Sequence, residues 1–179
     1  MGDARRLAAA VALAAEVHHG QCRDEGTPYI EHPIRVARIA AEELGFEDAD
    51  LLAIAYLHDT IEDAAQPDEI RRRILDLFGE RVLAGVEALT KNSDPSVPKE
   101  QRDQEYHERL LAAPPEVRAL KIADRVDNTR FLIHSPDSKK RATYLKETEE
   151  KYLPLAEEAG VLVEELRRAT ERVRELYGA

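Results

Sequence analysis

Leu51-Leu52-Ala53-Ile54-Ala55-Tyr56-Leu57-His58-Asp59-Thr60-Ile61-Glu62-Asp63 is the stretch on which the reading of this chain turns. Leu51–Leu57 is apolar on every face of a helix, so it belongs in an interior rather than on a surface. It runs straight into a histidine and then three acids. An ionised aspartate at the end of a buried helix is costly without a counter-charge, and a bound cation supplies one. The plainer alternative is a helix end emerging into solvent, and on this helix alone the two stand level. Glu62 lies four residues after His58, and Asp63 four after Asp59, so a continuing helix points each pair the same way. Carboxylates at a helix C-terminus oppose the dipole, which favours a chemical role. Crowding raises one acid's pKa, as a general acid requires.

Outward from this stretch the pattern is all helix. Ala4–His18 carries Leu7, Val11 and Ala14/Ala15 at amphipathic spacing. Residues 20–29, with Gly26, Thr27 and Pro28, read as a loop. Pro33–Leu44 starts on proline and stops at Gly45, and Asp48 is placed to cap the helix that includes Leu51–Leu57 and continues through His58. Pro67 opens a helix toward Phe78-Gly79. Helices follow at about Arg81–Thr90 and Glu100–Ala112, separated by the loop Asn92–Pro98, the segment best suited to move. Pro114-Pro115 begins a long helix through about Ile133, which Ser135-Pro136 breaks. Helices near Ser138–Ala159 and Val161–Tyr177 close the chain. On the last, Leu162, Leu166, Ala169, Val173 and Leu176 form one stripe, read as core packing in preference to a dimer seam.

The 179 residues fit one domain with a real core, and 43% hydrophobic with 35% charged residues is an ordinary globular balance. The expected organisation is a single unit, 1–179, with a motif core at about 18–134 and C-terminal helices at 138–177 packed on it. One cysteine, Cys22, excludes an intrachain disulfide and a cysteine zinc cluster. With no leader-like N-terminus and no long apolar span, a cytoplasmic location without membrane contact is expected. A net charge of −10 argues against nucleic acid as a partner but not against a phosphorylated small molecule.

Asp124 strengthens the metal reading. The inward stripe of its helix runs Val117, Leu120, Asp124, Asn128, Phe131, so Asp124 and Asn128 share an otherwise apolar face and need partners. A buried salt bridge to Arg125 or Arg130 is the bland alternative, but neither shares that stripe. His32, in Pro28-Tyr29-Ile30-Glu31-His32-Pro33, stands at the mouth of a helix. His18 and His19 read as helix-end residues, and His107 and His134 as surface. Two imidazoles and two carboxylates suit an octahedral divalent ion such as manganese or iron, whereas zinc more often takes three histidines or cysteine. Such an ion makes water a nucleophile near neutral pH.

The assembled residues resemble the HD-domain superfamily of metal-dependent phosphohydrolases, and more closely the hydrolase domain of RelA/SpoT homologues, especially the stand-alone small alarmone hydrolases. The resemblance is carried by His18-His19-Gly20-Gln21-Cys22-Arg23, Gly26-Thr27-Pro28-Tyr29-Ile30-Glu31-His32-Pro33, His58-Asp59-Thr60-Ile61-Glu62-Asp63, Thr90-Lys91 and Lys121-Ile122-Ala123-Asp124-Arg125-Val126-Asp127-Asn128, with a weaker match in residues 146–160. It implies a compact all-α HD-domain bundle holding one manganese ion on His32, His58, Asp59 and Asp124. It implies Glu62 and Asp63 as catalytic acids, Arg23 against a guanine base and Asn128 against the substrate. It implies hydrolysis of the 3′-pyrophosphate of guanosine tetra- and pentaphosphate. No synthetase domain follows Ala179, so hydrolysis without synthesis is the expectation.

There are departures. Asp24-Glu25 stands where the family has Lys-Ser, Val126-Asp127-Asn128 where it has Leu-His-Asn, and Phe131 where it often has threonine. Two acids in place of a cation make the pocket less hospitable to a polyphosphate. A second reading therefore keeps the reaction class and changes the nucleotide, for instance to a nicotinamide dinucleotide phosphate. A third, a nucleotide sensor without turnover, is disfavoured by the intact Glu62-Asp63.

Overall fold

The computed structural model describes residues 2–178. Its helices are α1 (Asp3–Val17), α2 (Glu31–Glu42), α3 (Ala49–Leu57), the single turn α4 (Thr60–Asp63), α5 (Pro67–Phe78), α6 (Glu80–Leu89), α7 (Lys99–Ala112), α8 (Pro115–Phe131), α9 (Ser138–Glu147), α10 (Leu153–Ala159) and α11 (Val163–Tyr177). Among the described residues no strand forms; one isolated bridge, Cys22 to Pro28, ties the loop between α1 and α2. The all-α expectation holds.

α3 is the buried helix its composition demands. Leu51, Ala53, Ile54, Ala55 and Leu57 are all inside, with α1, α2 and α6 packed against it. Gly85 lets α6 approach closely, since a Cβ there would collide with the Ile54 side chain. Asp48 caps α3 as expected, accepting from the Asp50 N–H at 2.8 Å.

α3 stops at Leu57, however, and does not continue through His58. The His58 ring bonds the Ala55 carbonyl at 2.8 Å, and the Thr60 hydroxyl donates to the Leu57 carbonyl at 2.6 Å. Side chains thus take carbonyls that a longer helix would pair with its own backbone. The chain turns at His58-Asp59 and restarts as α4.

α8 differs more. It lies against α2, α3, α6, α10 and α11, so burial extends well beyond the one-sided stripe expected of it. Lys121, Arg125 and Asp127, off that stripe, are buried as well. A stripe presumes a helix with a solvent face, and α8 has almost none. Each buried charge finds a partner: Lys121 pairs with Asp124 at 2.7 Å, Arg125 with Glu147 at 2.9 Å and Arg35 with Asp127 at 2.7 Å.

The helix expected over Ser138–Ala159 is interrupted by a wide π-type turn at Thr148–Tyr152. The Arg125 guanidinium and the Thr148 hydroxyl both donate to the Tyr144 carbonyl, and Pro154 has no N–H to offer the preceding turn. On α11, Leu166, Ala169 and Val173 are core while Leu176 is 49% exposed, so the stripe packs inward except at its end.

Candidate metal centre and adjoining pocket

His32 sits in the first turn of α2, inside the helix rather than before it, and is fully buried. The α3–α4 turn brings His58 and Asp59 to it, and α8 brings Asp124. His32 Nε2 lies 3.2 Å from His58 Nε2, 3.5 Å from Asp59 Oδ2 and 3.1 Å from Asp124 Oδ1. His58 Nε2 lies 3.2 Å from Asp59 Oδ2 and 3.8 Å from Asp124 Oδ1. The residues separated along the chain therefore converge on one point. One candidate ligand atom from each of His32, His58 and Asp59 lies within 4.8 Å of the others.

The donor chemistry fits a cation. Both Nδ1 atoms face away from the point and are engaged, His58 with the Ala55 carbonyl and His32 with Asp127 at 2.7 Å. Hydrogen on Nδ1 leaves each Nε2 as a lone pair. Two such lone pairs 3.2 Å apart, between two carboxylates, repel unless positive charge joins them. The surrounding carboxylates favour such positive charge on both rings. Burial opposes ionisation of both rings, yet the Asp124 and Asp127 carboxylates raise His32, and Asp59 and Asp124 hold His58 well above the usual imidazole range. Burial also opposes ionised Asp124, but the Lys121 charge and the two imidazoles keep it well below the usual carboxylate range. Its partner in charge is thus Lys121, not Arg125 or Arg130, which bond Glu147 and Glu43.

The acidic pair divides. Asp63 keeps its backbone bond to the Asp59 carbonyl at 3.0 Å, and its carboxylate lies 3.7 Å from His18 Nδ1. Burial first, then the Asp59 and Glu62 charges, push Asp63 up to about 6. Glu62 instead accepts the Lys91 backbone N–H at 2.9 Å and lines a cavity of about 630 Å³ with Arg71, Lys91 and Arg109. The two neighbouring carboxylates thus face different surroundings.

Arg23 and Asn128 are brought together, with the guanidinium donating to Asn128 Oδ1 at 2.9 Å, and Asn128 donating in turn to Asp124 Oδ1. Both line a cavity of about 240 Å³ with Tyr29, Phe131, Lys140 and Tyr144. Asp24 pairs with Lys140 and accepts the Ser135 hydroxyl at 3.1 Å; Glu25 lies 3.3 Å from Arg23 and accepts from Thr27. The two acids expected to repel a polyphosphate are each already partnered.

Three residues near the centre escape a reading by motif. Tyr29 donates to Asp59 Oδ2 at 2.7 Å, and burial followed by the Asp59 charge raises its phenol. His18, expected merely to end α1, is buried, bonds Gln21 at 2.9 Å and packs its ring on Tyr29. Asp127 stands behind His32. Tyr29 and His18 lie inside the quoted motifs, but nothing in a string of letters says which neighbour they touch.

A fold of helices that delivers a His-Asp turn, a remote histidine and a remote aspartate to one point is the arrangement of an HD domain. The chain belongs to that family: the HD domain model matches residues 10–162. The guanosine-3′,5′-bis(diphosphate) 3′-pyrophosphohydrolase of Aquifex aeolicus is 39% identical over 160 residues, covering 88% of this chain and 22% of that protein. This chain thus spans about a fifth of the bacterial relative's length. The mouse (Mus musculus) guanosine-3′,5′-bis(diphosphate) 3′-pyrophosphohydrolase MESH1 is 39% identical over 133 residues, covering 73% of this chain and 71% of its own. A solved structure of a metazoan SpoT ortholog, described as hydrolysing ppGpp, superposes with a TM-score of 0.67 at 25% identity, covering 97% of this chain and 96% of that one.

Proposed function

We propose that the chain is one hydrolase domain that uses manganese to hydrolyse the 3′-pyrophosphate of guanosine tetra- and pentaphosphate, giving GDP or GTP and pyrophosphate. The observation that carries this is the pair of Nε2 lone pairs 3.2 Å apart between the Asp59 and Asp124 carboxylates. Relatives named for the same reaction align over most of the chain. His32, His58, Asp59 and Asp124 hold the ion. When bound, a divalent cation supplies Lewis-acid activation of water and of a phosphoryl oxygen.

The protein's own groups do the rest. Glu62, fixed by the Lys91 N–H, orients the attacking water and takes its proton. Asp63, its pKa pushed up to about 6 by burial and then by the Asp59 and Glu62 charges, is the group suited to give a proton to the departing ribose 3′ oxygen. The bond between that oxygen and the attacked phosphorus breaks, leaving a 3′ hydroxyl and free pyrophosphate. Arg23 packs against the base and Asn128 bonds the sugar–phosphate side, from the cavity beside the centre. Neutralisation of Asp24 by Lys140 and of Glu25 by Arg23 removes the charge objection to a polyphosphate.

A panel of guanosine tetraphosphate, nicotinamide dinucleotide phosphates and ordinary nucleoside triphosphates, incubated with the manganese-loaded protein, tests the assignment. Pyrophosphate released stoichiometrically with GDP from the first alone supports it. Preferential dephosphorylation of a dinucleotide overturns the substrate, and ligand bound but recovered intact across the panel overturns the enzyme.

A further inference from the structure

Asp127 is outside the ligand set and outside the chemistry proposed above, yet its side chain is only 2% exposed. Its Oδ2 lies 2.7 Å from His32 Nδ1. Arg35 grips the same carboxylate from the other side, with Nε donating to Oδ1 at 2.7 Å and Nη2 to Oδ2 at 3.2 Å. The Phe131 ring covers the Arg35 guanidinium at 3.6 Å from its centroid. His32 and Arg35 lie one turn apart on α2, and Asp127 and Phe131 one turn apart on α8, so the chain Phe131–Arg35–Asp127–His32 laces the two helices together.

A buried carboxylate needs more than one hydrogen bond to stay ionised. Arg35 supplies a permanent charge in the forked geometry that suits a carboxylate, and the aromatic face shields that pair from water. The carboxylate then accepts the Nδ1–H of His32 and fixes its ring, leaving Nε2 aimed at the point where Asp59, His58 and Asp124 meet. A carboxylate behind an imidazole also makes the far nitrogen a stronger donor. The two histidines are therefore unequal: His58 is backed only by the Ala55 carbonyl.

We propose that Asp127, clamped by Arg35 under Phe131, is a positioning residue that fixes His32 as a cation ligand through Nε2. The same clamp accounts for Asp127 and Phe131, two of the positions at which this chain departs from the family pattern. The proposal rests on the assignment of His32 as a metal ligand made above.

Manganese affinity by calorimetry, on wild type and on Asp127→Asn, tests it. The variant is expected to bind manganese about 10- to 100-fold more weakly. Its turnover should recover at saturating manganese, because no group that touches substrate has changed. Should that variant fail to fold, Asp127→Asn combined with Arg35→Gln removes both buried charges together and is expected to show the same loss. Wild type loaded with zinc, a diamagnetic stand-in, gives an independent readout: nitrogen-15 shifts should show His32 protonated at Nδ1 and bound to the metal through Nε2. Unchanged affinity in the folded variant, or a metal-loaded His32 with no proton on Nδ1, overturns the proposal and leaves the metal assignment standing. Failure of wild type to bind manganese overturns both.

Discussion

Asp59 and Asp124 contribute one oxygen each to a point that two neutral imidazoles cannot share alone. Replacing Asp124 with alanine removes that oxygen and frees the Lys121 ammonium, 2.7 Å away, to repel a cation. Manganese affinity should fall by more than the roughly 100-fold that loss of an outer partner costs, as calorimetry would show. Glu62→Gln leaves the ligands intact, so metal binding should hold while kcat drops roughly 10²- to 10⁴-fold; unaltered kcat would remove Glu62 from the reaction. Asp63 carries a pH signature. Its pKa is raised to about 6, so the folded state holds the proton more tightly than the unfolded chain does. That contribution is fully present below the ordinary carboxylate range and is lost as pH rises through 6. In metal-free protein, Asp63→Asn should therefore stabilise at pH above that value, by about 1 kcal/mol after solvent screening, and do little at acid pH. Thermal denaturation in a chelator at two pH values checks the sign; equal effects at both would contradict it.

At the scale of elements, α8 shows what the sequence could and could not say. Asp124 and Asn128 stand out as polar residues on an apolar face, and in the structure Asp124 is buried while half-buried Asn128 bonds it. The burial of Lys121, Arg125 and Asp127 was not legible, because periodicity assumes a solvent face and α8 is wrapped by five helices. Likewise the run Leu51–Leu57 announced a buried helix, while its stop before His58 depended on side chains capping carbonyls. The proposed ligand set is read from letters that recur in a family. Tyr29 on Asp59 and Asp127 on His32 are contacts between elements, and spacing along one element carries no record of them. Arg125 is the hinge pin of the C-terminal layer. It bonds Glu147, Thr148 and the Tyr144 carbonyl, with its guanidinium between the Tyr144 and Tyr152 rings. Arg125→Ala strands Glu147 and undoes the anchor of the π-type turn, so urea denaturation should show a loss of about 3 kcal/mol.

Across the whole molecule, the candidate centre is where helices from the two ends of the motif core meet. α2, the α3–α4 turn and α8 each deliver at least one group, so an ion bound there would also cross-link them. Binding to the folded state alone stabilises by mass action. Chelation of manganese present at 100 times its Kd should then cost about 3 kcal/mol, or roughly 5–10 °C in Tm. The size of that shift follows the metal concentration, which separates it from any effect of the chelator on the chain.

The most direct test of the metal centre is a crystal structure of manganese-loaded protein with anomalous scattering measured at the manganese edge. A single strong peak is expected, bounded by His32 Nε2, His58 Nε2, Asp59 Oδ2 and Asp124 Oδ1 and absent from crystals of Asp124→Ala. A peak elsewhere, or none at that point in wild type, would contradict it.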